Sequence, residues 1–218
     1  MKIHKKKQKR NIRVEKTASA SIAIGDIKKG EDTFILTYGQ FSLIDALIVI
    51  LHQTGEADVV ISTWTAAHAH LDKAKELMTD ANIRSLKLIV DRSFKTRQPA
   101  YFKQMIDTFG EESIRETVTH AKFMIITNDN WNIVVRTSMN LNENPRLENI
   151  EISESEEFTA FFQTLTEEMF REIKPMEKQN TLPKLENIEN STPFKLVEAK
   201  RLKISELKEA NYETTLSR

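Results

Sequence analysis

Short apolar runs, separated by polar turns and by amphipathic stretches, set the rhythm of this chain. Residues 33–37 (TFILT) are apolar and β-branched, as a buried strand requires, and the YGQ at 38–40 breaks the run. Ser42 followed by Asp45 has capping-box spacing, and Leu43, Ile44, Leu47, Ile48 and Leu51 make the buried stripe of a helix that Gly55 ends. Residues 57–63 (ADVVIST) read as a second strand, 66–78 as a second helix, 85–91 (SLKLIVD) as a third strand and 99–109 as a third helix closed by Gly110. Residues 114–119 lead into HAKFMIITNDNWNIVVRTSMN at 120–140, two strands about the polar turn Asn128-Asp129-Asn130. A last strand at 148–152 and a last helix at 154–173 follow, the helix turning Phe158, Phe161, Phe162, Leu165, Met169 and Phe170 inward. Upstream, residues 18–27 (ASASIAIGDI) alternate small and apolar positions and read as a short strand.

Strands alternating with helices predict an α/β fold: a mixed, largely parallel sheet with helices on both faces. Both faces of the 120–140 hairpin are apolar, which places it inside the sheet. Three segments result. Residues 1–17 are a basic arm, 18–173 the α/β domain, and 174–218 a linker with Pro175, Pro183 and Pro193, followed by a charged helix at 194–209. No internal repeat is visible.

Charge alters this picture more than composition does. A chain of 218 residues suits one domain with extensions, and its formal net charge is zero. That balance conceals a basic start, eight Lys/Arg against one Glu in residues 1–16, which has the character of a phosphate-contacting tail or a solvated terminus. The chain has no cysteine, so disulfide and thiolate chemistry are excluded, in keeping with a cytoplasmic protein. No apolar run reaches the roughly 20 residues of a membrane span, so no membrane association is expected.

Candidate chemistry concentrates in the hairpin. His120 and Lys122 are two residues apart, and Ser138 and Asn140 repeat that spacing. A three-residue turn pairs Thr127 with Trp131 and His120 with Ser138, so all four side chains converge on one patch suited to an anion. An even-numbered turn moves Ser138 and Asn140 to the opposite face. His52, His68 and His70 read as helix-surface residues, with no spacing that suggests a zinc site. Trp64 follows the second strand and could stack on a base, and Asp91-Arg92 follows the third.

The order His-x-Lys, strand, polar turn, strand, Ser-x-Asn resembles the signature of the phospholipase D superfamily. Arg146-Leu147-Glu148-Asn149-Ile150 resembles the Glu-Asn that follows it in the family's small bacterial nucleases, and the element order extends the likeness over about residues 30–173. The resemblance implies a metal-independent, cofactor-free phosphodiesterase in which His120 attacks phosphorus. Lys122, Ser138 and Asn140 would then hold the phosphoryl oxygens, and Glu148 would orient His120. It also implies nucleic acid as partner, DNA in preference to RNA, and a homodimer that brings two copies of His120 together, since the chain carries one motif. Two positions depart from the pattern: Thr127 stands for the family's Asp and Thr137 for its Gly. The tyrosyl-DNA phosphodiesterase branch also lacks that Asp. The retained residues favour an enzyme; the two departures favour a catalytically silent module that binds nucleic acid or protein through the same cleft.

Overall fold

The computed structural model describes residues 8–63, 72, 75–76, 82–141 and 145–175. These residues contain β1 (Lys9–Glu15), α1 (Ala20–Ile24), β2 (Glu31–Thr37), α2 (Leu43–Thr54), β3 (Ala57–Thr63) and β4 (Ile83–Asp91). They continue with α3 (Ser93–Arg97), α4 (Pro99–Phe109), β5 (Ile114–Thr117), β6 (Phe123–Thr127), β7 (Asn132–Thr137), β8 (Glu148–Glu154) and α5 (Glu156–Glu172). Of the expected helix at 66–78 only Asp72, Lys75 and Glu76 are described, all helical; Trp64, His68, His70 and the segment beyond Pro175 lie outside the described residues.

The strands form one eight-stranded sheet in the order β1-β2-β8-β7-β6-β3-β4-β5. Its mixed α/β character is as expected, but the balance of pairings is not. Only β1–β2, β3–β4 and β4–β5 pair in parallel, whereas β2–β8, β8–β7, β7–β6 and β6–β3 are antiparallel. Only β6 and β8 run against the other strands. The carboxyl ends of β2, β3, β4, β5 and β7 therefore share one end of the sheet with the starts of β6 and β8.

Helices cover both faces. On one, α2 and α4 bury Leu43, Leu47, Ile50, Phe102 and Met105 against Met124, Ile126, Ile133, Val135 and Ile150. On the other, Met169 and Ile173 of the α5 region pack on Ile89, Phe123 and Ile125. Capping explains where α2 starts: Ser42 Oγ accepts the Asp45 N–H at 3.2 Å, while Asp45 Oδ2 accepts the Ser42 N–H at 2.9 Å. Ile50 rather than Ile48 completes its buried stripe, Ile48 being half-buried.

Two N-terminal expectations change. Residues 18–27 are not a strand; Ser19 caps the helix α1 by accepting from Ile22 N–H at 3.3 Å. Ala20, Ala23 and Ile24 then fall on one buried face at helical spacing. Residues 9–15 of the basic arm, in turn, form an edge strand. Its cations are met by acids on β2, with Lys9 Nζ 2.9 Å from Glu31 and Arg10 Nη2 3.3 Å from Asp32. Lys9 and Arg10 thus pair across the ladder, while Ile12 and Val14 stay exposed and residues 1–7 lie outside the described residues. No helix of the described residues is long and apolar enough to cross a membrane.

Candidate active site

The hairpin turn fixes the register, and it is an even one. Asn128 Oδ1 accepts the N–H groups of Asn130 (3.0 Å) and Trp131 (2.9 Å), and Asn128 N–H donates to Trp131 O at 3.0 Å. A single Asn side chain thus organises a four-residue loop, and Thr127 pairs with Asn132 rather than Trp131. Lys122 consequently lies opposite Thr137, whose N–H donates to Lys122 O at 3.1 Å. His120 is therefore not opposite Ser138. It stands exposed in the connection between β5 and β6, three residues before β6 begins.

The even turn removes the expected face-to-face convergence of His120, Lys122, Ser138 and Asn140; Ser138 and Glu148 meet instead through a bend in the chain after β7. Thr137 Oγ1 donates to Asn149 O at 2.6 Å and accepts the Met139 N–H at 2.9 Å, which turns the chain out of the strand. Ser138 Oγ then accepts the Asn149 N–H at 2.9 Å and donates to Glu148 Oε2. Asn140 is carried to the start of α2, where its carbonyl accepts the Leu43 N–H at 3.4 Å, and its side-chain Oδ1 is buried without a hydrogen bond. The flanking Met139 and Leu141 are core residues and anchor this crossing.

Lys122 is half-buried and shares the face of Met124 and Ile126. Burial holds its ammonium below the usual lysine value, while the Glu148 carboxylate pulls it back up. No carboxylate of the described residues comes within ion-pair distance of Lys122. Ser138 and Glu148, with Lys122 in the field of that carboxylate, thus lie at the end of the sheet where the parallel strands finish, the usual place for ligand sites in α/β sheets, while Asn140 crosses to the start of α2.

Asp91 holds the approach to His120, a role that sequence position only hinted at. Its carboxylate accepts the N–H of Ser93 at 2.9 Å and of Thr119 at 3.2 Å, and takes the Ser93 hydroxyl as well. Burial acts to raise its pKa, but these hydrogen bonds prevail and hold it below the ordinary value. The strand end that carries Asp91 was the only signal available from sequence. Thr127, by contrast, sits at the far end of β6, roughly 16 Å from Lys122 at the usual rise of an extended chain. An Asp in its place would not touch a phosphate bound at Lys122. His52 is exposed on α2, as expected of a helix-surface residue.

No protein-family model matches this chain, and no curated protein does. Among solved structures it is similar in fold to Nuc from Salmonella typhimurium, a phospholipase D family member, at 15% identity over 68% of this chain and 100% of that one, with a TM-score of 0.49. NucT from Helicobacter pylori aligns at 14% identity over 67% of this chain and 100% of its own, with a TM-score of 0.46. Polyphosphate kinase from Porphyromonas gingivalis aligns at 11% identity over 68% of this chain and 27% of its own, with a TM-score of 0.48. These likenesses concern fold; the chemistry of this chain is read from its own side chains.

Proposed function

We propose that this protein is a metal-independent phosphodiesterase acting on nucleic acid. Lys122 carries the proposal: a half-buried ammonium with no ion pair among the described residues is complementary to an anion that arrives with the substrate. Phosphate bound there would lie beside His120, two residues away in sequence, with Ser138 and the Asn140 amide as further hydrogen-bonding groups. His120 would attack phosphorus and displace an alkoxide, giving a phosphohistidine that water then hydrolyses. The departing alkoxide needs a proton, and a second copy of His120 across a two-fold axis would supply it. Glu148 accepts the Ser138 hydroxyl, so Ser138 would donate to phosphate only by giving up that carboxylate.

The second reading is a catalytically silent module that binds nucleic acid through Lys122 alone. It is favoured by the position of His120 outside β6, on an exposed connection. Hydrolysis of bis(4-nitrophenyl) phosphate by the wild-type chain and by His120→Ala decides between them. Turnover that disappears in the variant supports the enzyme. A wild-type chain that binds phosphate and turns nothing over supports the module.

A further inference from the structure

A second recess opens at the same end of the sheet, on the face that α5 covers, with Lys122 among its lining residues. It has a volume of about 330 Å³ and is lined by Phe123, Phe162, Arg136 and Asn149, with Lys122 and Ser138 at the edge that adjoins the candidate site. This size lies at the lower end for small-molecule pockets. Its floor is aromatic. Phe162 packs edge-on against Phe123 at 4.9 Å and against Phe158 at 5.1 Å, and is itself half-exposed. Arg136 stacks over Phe158 at 4.8 Å and is held by Glu151 at 2.7 Å, so a guanidinium plane is fixed at the rim.

Asn149 supplies the polar element. Among the described residues, its hydrogen bonds run through its backbone, to Thr137 and Ser138, which leaves the side-chain amide with a donor and an acceptor to offer. An aromatic floor, a fixed guanidinium plane and a free amide beside a phosphate-compatible cation match the chemistry of an unstacked base. A paired base has both faces stacked and its pairing edge occupied, so a duplex cannot fill such a recess without local opening.

We propose that this recess seats one nucleobase of a single-stranded nucleic acid, stacked on Phe162 and hydrogen-bonded by Asn149, with its phosphate at Lys122. This rests on nucleic acid being the ligand and does not require that the site cleave it. The test uses the full chain with His120→Ala, which keeps strands intact, and fluorescence anisotropy. Three labelled probes are compared: a short single strand, a wholly abasic strand of the same length, and the duplex. The intact strand should bind about tenfold more tightly than either of the others, the scale of base–aromatic stacking. Phe162→Ala and Asn149→Ala should each shrink the preference over the abasic strand, and Asn149→Ala retains every main-chain hydrogen bond if the Phe162 variant fails to fold. Equal affinity for intact and abasic strands, equal affinity for duplex, or no binding to any probe would overturn the base recess. Hydrolysis of bis(4-nitrophenyl) phosphate by the wild-type chain separates the two proposals, since that substrate has no base. Turnover without base discrimination sinks the recess alone, whereas discrimination without turnover upholds the recess and sinks the enzyme.

Discussion

Ser138 Oγ donates to the buried carboxylate of Glu148 and, in the same place, accepts the N–H of Asn149 at 2.9 Å. The hydroxyl stands in for the backbone carbonyl that a continuing ladder would present, so β7 can end while β8 begins beside it. Ser138→Ala removes the donor from a buried anion. Urea unfolding should show a loss of about 1.5–3 kcal/mol, the range for hydrogen bonds to charged groups. An unchanged midpoint would mean that Glu148 is satisfied without the serine.

Lys122 has the opposite energetic character. Its folded pKa lies below the ordinary 10.5 because burial disfavours the charge. A lysine shifted in this direction destabilises the fold at neutral pH, and the penalty fades as pH rises through the depressed value toward the ordinary one. Lys122→Met should therefore fold at least as stably as the wild type at pH 7, with the difference narrowing under alkaline conditions. Phosphate should raise the melting temperature of the wild type and leave the variant unchanged. A variant still stabilised by phosphate would place the anion elsewhere.

Asp91 is predicted to act on turnover through the position of His120. Asp91→Ala releases the N–H groups of Ser93 and Thr119, costing about 1–3 kcal/mol, and should lower kcat more than it raises KM. Because its pKa is held below 3.8, the carboxylate's contribution is present above that value and is lost as pH falls through the depressed folded pKa. The stability gap between Asp91→Asn and wild type should thus close in acid. A gap that persists there would assign the loss to packing.

The shared site makes its own prediction. Heterodimers of His120→Ala and wild-type chains should have very low activity, because each lacks one of the two histidines, and chelators should have no effect on the wild type. Full activity in a strictly monomeric preparation would remove the two-histidine mechanism.

Introducing the Asp of the resembled signature should achieve nothing. Thr127→Asp lies at the remote end of β6 and directly opposite Asp58, so it should leave turnover unchanged and destabilise by about 0.5 kcal/mol through like-charge opposition. A gain in activity would show that position 127 communicates with the site.

Much of the architecture was legible in sequence because it is written in local terms. Period-two and period-3.6 apolar patterns, the Ser42–Asp45 box and the Gly55 and Gly110 stops mark elements through short-range sterics and hydrogen bonds. The spacings His-x-Lys and Ser-x-Asn were visible, but the pairing of His120 with Ser138 read from them was not correct, because the turn is even. Where local signals conflicted, the errors followed: small alternating residues at 18–27 looked like a strand until the Ser19 cap, and charge at 9–15 disguised a strand whose acids lie on a different one.

What only the tertiary structure decided was which side chains meet. One residue in the length of the Asn128 loop reverses every face relationship across the hairpin, and that length depends on bonds from Asn128 Nδ2 to Thr54 O at 3.0 Å and Glu56 O at 2.9 Å, more than seventy residues away. The candidate site then assembles through the bend at Thr137 and the arrival of β8, which bring Ser138 to Glu148 and Asn149. Sequence determined the residues and their spacing, because those are local. The fold determined their convergence, because hydrogen bonds between distant segments set the register that local pattern leaves free.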